Sequence, residues 1–305
     1  EAEAGSSPAL FHAAHTIDLP MADGKGPAIG PYRILQLLGE GGFGSVYMAE
    51  QSAPIQRRVA LKVIKSGMDT RQVIARFEQE RQALAMMDHP GIAQVLDAGA
   101  TDTGRPYFVM ELVRGEPVTE YCDRHKLAIA DRLALFAEVC AAVQHAHTKG
   151  IIHRDLKPSN ILVSAQDGEA HAKIIDFGIA KLLRPRPPFE SGAETPPWGD
   201  TDPGRILGTA AYMSPEQVRG GEVDARSDLF AFGALVYEML SGEPAFRRET
   251  GVETLHAVLK DFHEALADTP PELVRIGNRI GVHLRISGLV DAGIRGESGR
   301  HGIEF

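Results

Sequence analysis

The chain has 305 residues, 43% of them apolar and 24% charged, and a formal net charge of -9. That length can build one large domain or two lobes with a substantial core, and the acidic balance, with no basic stripe, argues against a nucleic-acid partner. The two cysteines, Cys122 and Cys140, form no CxxC pair, so buried reduced thiols are expected, not a disulfide framework.

No apolar run is long enough to cross a bilayer, and the longest, from Leu229 to Leu240, amounts to about one core helix. Residues 1–15 begin acidic and lack an apolar block, so no secretory signal is expected. Together with the sparse cysteines this points to the cytoplasm.

In chain order, residues 1–30 are rich in Gly, Pro, Ala and Asp without a sustained period and read as a flexible tail, with order beginning at Tyr32. Strands are expected at 32–39, 45–50, 58–64, 93–99 and 106–113, with one helix near 70–87. From 117 onward the pattern turns helical. Residues 127–148 place Ile129, Leu133, Phe136, Cys140, Val143 and His147 on one face at helical spacing, with His147 a satisfied core histidine. Ile161-Leu162-Val163 and Lys173-Ile174-Ile175 flank a polar Gln166-Asp167-Gly168 turn, a strong hairpin signal. The proline-rich segment 184–204 reads as a loop. Residues 226–241 are apolar almost all round and predict a buried helix.

Three segments carry chemistry. Gly39-Glu40-Gly41-Gly42-Phe43-Gly44 fits GxGxxG, but Ser45-Val46-Tyr47-Met48-Ala49 continues as a strand, whereas a dinucleotide-binding fingerprint must open a helix. Glycine-rich backbone between two strands can lie close over a nucleotide triphosphate. In the strand Val59 to Ile64, Lys62 sits among apolar neighbours and needs an anionic partner. Glu80, on the same helical stripe as Val73, Phe77 and Leu84, is that expected partner, and together they would fix Lys62 against phosphates.

The third segment is His153-Arg154-Asp155-Leu156-Lys157-Pro158-Ser159-Asn160, followed by Asp176-Phe177-Gly178. The ends of an antiparallel hairpin lie together, so Asn160 and Asp176 should meet with Asp155 nearby. Oxygen ligands gathered this way suit Mg²⁺, which shares its remaining positions with phosphates and water. Asp155 can orient an attacking hydroxyl and accept its proton, and Lys157 can neutralise charge on a moving phosphoryl group. Phe177 would pack against the helix that carries Glu80.

These residues, with Val46, Ala60, Thr209, Ser214, Pro215, Glu216 and Asp228 in the same order, resemble a eukaryotic-like (Hanks-type) serine/threonine protein kinase of the bacterial branch over about 32–276. The resemblance implies an α+β, bilobal protein-kinase fold, with a small antiparallel β-sheet lobe at 31–113 and a larger, mainly helical lobe at 114–276. It implies ATP and Mg²⁺ as cofactors, with Val46, Ala60 and Leu162 around the adenine. Met110 would be the gatekeeper, and Glu111 to Val113 the hinge. Thr209 would bond Asp155 and Lys157, and Asp228 would anchor the catalytic-loop backbone. Arg154 would take the phosphate of a modified loop residue, Thr201 first, with Thr195 and Ser191 behind it. Expected partners are protein substrates with serine or threonine, and a second copy of the chain for trans-autophosphorylation.

Residues 277–305 depart from the family, with no copy of the arginine motif that pairs with Glu216. That departure keeps a second function in view, a catalytically weak pseudokinase-type scaffold, although Lys62, Asp155 and Asp176 are all retained.

Overall fold

A computed structural model describes residues 27–41, 44–64, 87–166, 168–177 and 209–260. The chain divides into two compact units, one from residues up to Ser66 together with Asp97–Leu112, the other from the remainder. Both expected classes of structure are present, an antiparallel sheet in the first unit and a mainly helical second unit.

The first unit is a six-stranded sheet of β1 (Ala28–Ile29), β2 (Tyr32–Glu40), β3 (Gly44–Gln51), β4 (Arg57–Ile64), β5 (Val95–Ala100) and β6 (Pro106–Glu111), in the order β1-β2-β3-β4-β6-β5. The expected strands are found within a residue or two. Order begins earlier than Tyr32, however, because Ala28 and Ile29 pair with Arg33 and Tyr32 and Ile29 is buried. Two residues between glycines offered no alternation by which to detect so short a strand. β4 is central, flanked by β3 and β6, and is buried on both faces from Val59 onward. Its β-branched and aliphatic run suits that position. Tyr32 donates its hydroxyl to Asp97 at 2.6 Å and packs edge-on to Tyr107, which ties β2 to β5 and β6.

The second unit contains β7 (Glu116–Pro117), β8 (Ile161–Gln166) and β9 (Glu169–Ile174) in one antiparallel sheet. Its helices are α1 (Val118–Arg124), α2 (Ile129–Thr148), α3 (Pro215–Val218), α4 (Ala225–Ser241) and α5 (Gly251–Lys260). Residues 87–94, ahead of β5, group with this unit and not with the first sheet. The cause is a backbone ladder: Ala93 N–H donates to Ile174 at 2.8 Å, and Ile174 N–H donates to Gly91 at 2.8 Å.

Both long helices depart from the expected burial. α2 buries Leu135, Phe136, Val139, Ala142, Val143 and Ala146, while Ile129 is 46% exposed. The buried stripe is thus rotated about the axis, and small Ala142 lets Gly91 come close: a Cβ on Gly91 would lie 3.2 Å from that of Ala142. α4 buries one stripe, Ser227, Asp228, Ala231, Ala234, Leu235 and Met239, and leaves Leu229 51% exposed, so it is not buried all round. Arg132 joins three helices: its guanidinium donates to the carbonyls of Leu127, Met239 and Cys122 and pairs with Asp123. Cys122 is buried and Cys140 partly so; both are free thiols, and burial pushes Cys140 up to about 11. Among the described residues no helix is long and apolar enough to cross a membrane.

Two glycines give opposite expectations. A Cβ on Gly115 would lie 2.6 Å from the Val163 carbonyl oxygen and push β7 off β8, whereas one on Gly233 in α4 meets nothing within 4 Å. Gly115→Ala should lower the unfolding free energy by about 1–3 kcal/mol. Gly233→Ala should raise it by up to about 1 kcal/mol, through better helix propensity. Urea unfolding of both variants checks this, and equal effects of one sign would contradict it.

Candidate active site

The segment 153–160 has no regular secondary structure before the short 3₁₀ turn at Pro158–Asn160, so its shape must be set by side chains. Asp228, fully buried on α4, does most of this. Its Oδ2 accepts from the His153 N–H at 2.8 Å and from His147 Nε2 at 2.8 Å, and its Oδ1 accepts from the Arg154 N–H at 2.8 Å. The expected anchoring of the loop is therefore present, and His147 is the satisfied core histidine expected. Arg154 and Asp176 both adopt positive φ, at 68° and 61°. Non-glycine residues occupy that region at a cost of order 1–3 kcal/mol, which surrounding bonds must over-determine.

His153 is buried within the same framework. Its Nδ1 accepts from the Asp155 N–H at 3.2 Å, and its Nε2–H faces the Ile175 carbonyl at 3.1 Å. Those two bonds require the neutral ring, and desolvation holds its pKa below the usual value. The ring also packs edge-on to Phe177 at 4.6 Å. The helix near 70–87, which was to receive Phe177, lies outside the described residues.

The hairpin converges as expected. β8 pairs with β9 from Ile161↔Ile174 to Gln166↔Glu169, and the Ile175 N–H donates to the Asn160 carbonyl at 2.9 Å. Asp176 therefore leaves the strand beside Asn160. Asn160 Nδ2 donates to the Asp155 carbonyl at 2.8 Å and to its carboxylate at 3.1 Å. Lys157 Nζ contacts the same carboxylate oxygen at 2.9 Å and Thr209 Oγ1 at 3.2 Å. Thr209 is thus linked to Asp155 through the Lys157 ammonium.

The residues 32–279 match the family model described as the protein kinase domain. The chain belongs to the protein kinase domain family. Among bacterial relatives, the kinase domain is 35% identical to serine/threonine-protein kinase Pkn1 of Myxococcus xanthus over 86% of this chain and 36% of that protein. It is 37% identical to PknA of Mycobacterium tuberculosis over 80% of this chain and 54% of that one. The chain thus spans roughly a third to a half of these relatives' length. The solved PknI kinase domain of Mycobacterium tuberculosis superposes with a TM-score of 0.55 at 25% identity, covering 75% of this chain and 81% of that one.

In the first unit of the kinase domain, Gly39 pairs with Val46, and Gly41 N–H bonds back to the Gly44 carbonyl, so the glycine-rich segment joins two antiparallel strands. Glu40 ends β2, and Gly42 and Phe43 lie outside the described residues. Lys62, 8% exposed, pairs with Val46 on one side and Phe108 on the other. Ala60 pairs with Met48 and with Met110, and Glu111 with Val59 at the end of β6, just before Val113. Glu80, Thr195, Thr201 and Ser191 all lie outside the described residues, as does 277–305. Glu216, whose expected arginine partner would lie in 277–305, is partly buried and takes a hydrogen bond from the Ser227 hydroxyl.

The donor set fits a hard divalent cation. Asn160 spends its amide nitrogen on Asp155, so its amide oxygen is the atom it would offer a metal, and Asp176 leaves β9 next to it in the backbone. Among the described residues no group of three or more His, Cys, Asp or Glu forms a closed cage.

Sequence reasoning passed over Glu116. It pairs with Val163 next to Leu162 in the β7–β8 ladder, and its Oε1 is held by Arg124 at 2.6 Å. Its Oε2 is buried without a hydrogen-bond partner. The signal available was the acid directly after the turn that closes the 106–113 strand.

Asp228→Asn would replace one acceptor oxygen with an amide facing a backbone N–H. The expected loss is about 2–4 kcal/mol of unfolding free energy. Denaturant titration measures it, and a variant as stable as the parent would contradict the anchoring role.

Proposed function

We propose that this chain transfers the γ-phosphoryl group of ATP to serine or threonine hydroxyls of protein substrates. The observation that carries the reading is the cluster on the Asp155 carboxylate, where Lys157 and Asn160 meet and Lys157 extends to Thr209. In this role Asp155 orients the incoming hydroxyl and takes its proton as the oxygen attacks the γ-phosphorus. The bond from phosphorus to the bridging oxygen breaks, and ADP leaves. Lys157 offsets negative charge on the moving group, and Thr209 seats the substrate hydroxyl.

Asn160 and Asp176 would hold Mg²⁺, which supplies neutralisation of the phosphate charge. Lys62, paired with Glu80, would grip the phosphates under the glycine-rich segment Gly39–Gly44. Val46, Ala60 and Leu162 would enclose adenine, beside Met110 and the hinge from Glu111 to Val113. The unfilled Oε2 of Glu116, adjacent to Leu162, would accept a ribose hydroxyl. Phosphorylation at Thr201 or Thr195, read by Arg154, would regulate the domain, with a second copy of the chain as the phosphorylating partner. Dependence on ATP and the unpaired thiols favour the cytoplasm. A domain that runs to 276 and is followed by a divergent segment belongs to the same reading, with its start moved ahead of 31 by the pairing of Ala28 and Ile29 with β2.

The test is phosphate incorporation from γ-labelled ATP into a generic basic protein substrate. Asp155→Asn should lower kcat by about 10²–10⁴-fold with the fold intact. Equal incorporation by parent and variant, or none by a folded parent, would contradict the reading.

A further inference from the structure

Gln217 is one residue past the Ser-Pro-Glu motif and is 4% exposed. Half of its bonding is ordinary helix capping. Its Oε1 accepts from the Ser214 N–H at 2.9 Å, and its own N–H donates to Ser214 Oγ at 3.4 Å, a reciprocal capping box at the start of α3. Capping does not require the other end of the amide. Nε2 donates to the Arg154 carbonyl at 2.7 Å, 63 residues away in sequence.

That carbonyl belongs to the peptide unit linking Arg154 to Asp155. The N–H of the same unit donates to His153 Nδ1 at 3.2 Å. The plane is therefore gripped from both sides, by Gln217 on its oxygen and by His153 on its nitrogen. Arg154 itself is in the left-handed region at φ 68°, with its N–H on Asp228 Oδ1 at 2.8 Å. Without the Gln217 bond, the 154–155 peptide keeps a single restraint of its own, the Asp155 N–H on His153 Nδ1, and the plane carrying Asp155 can tilt.

We propose that Gln217 is a positioning residue for Asp155, holding the 154–155 peptide at the orientation that aims the carboxylate. This rests on the kinase reading above. An amide suits the task because one end must accept from Ser214 while the other donates to a carbonyl. A glutamate would keep the first bond and turn oxygen against oxygen at the second. A methionine would fill the volume and make neither. The arrangement also ties the segment after Thr209 to the catalytic loop, so order in one supports order in the other.

Gln217→Glu and Gln217→Met, assayed at pH 8, separate the two bonds. Both should lower kcat roughly ten- to a hundred-fold, the scale of a small misplacement of a reacting group. KM for ATP should stay within about twofold, since ground-state binding is untouched. If only Gln217→Met loses activity, the residue merely caps α3 and the proposal is wrong; it is equally wrong if neither variant loses activity. Should Gln217→Met fail to fold, Gln217→Glu decides alone. Hydrogen exchange at the Asp155 amide gives a readout independent of turnover, with faster exchange in both variants expected and unchanged exchange overturning the proposal. A parent that transfers no phosphate yet shows that faster exchange in its variants would sink the kinase reading and leave the positioning intact.

Discussion

The Asp228 carboxylate is the fixed point of the second unit. Burying a charge on a core helix is costly unless every oxygen is satisfied, and here two backbone N–H groups and an imidazole satisfy it. The same bonds that make the burial tolerable set the path of the loop at 153–154. An irregular loop acquires in this way the rigidity of the helix beneath it. That is the condition for a carboxylate at 155 to hold one orientation.

A second constraint enters from the hairpin. The register Ile161↔Ile174 and the Ile175–Asn160 bond fix where β9 ends, and His153 closes the circuit by bonding to the Ile175 carbonyl. Loop and hairpin are therefore cross-linked through a neutral, buried imidazole. Arg154 and Asp176, the two strained residues of this region, sit beside these cross-links. Strain at such positions persists only where neighbours over-determine it; Asp228 and Gln217 hold Arg154, and the bonds of Ile175 to Asn160 and His153 hold the chain entering Asp176.

Much of this was legible in the sequence. The hairpin followed from two apolar runs around Asp167-Gly168, and the meeting of Asn160 and Asp176 from their places at its ends. The strands from 32 to 111 were legible because alternation and β-branched content coincide there. What escaped reading depends on contacts remote in sequence. The rotated face of α2 is set by which partner allows close approach, and 87–93 joins β9 through backbone groups that no side-chain pattern marks. Gln217 looks like a capping residue, and its second bond exists only once residues 154 and 217 are brought together. Glu116 carries no periodic signal at all. Its meaning lies in one carboxylate oxygen left without a partner.

The central claim is that Asn160 and Asp176, placed together by the hairpin, hold a metal–nucleotide complex. The most direct measurement is calorimetric affinity for a non-hydrolysable ATP analogue with and without Mg²⁺, in the parent chain and in Asp176→Ala. The account requires Mg²⁺ to tighten binding in the parent and to lose most of that effect in the variant. The same Mg²⁺ dependence in both proteins, with the variant fully folded, would contradict it.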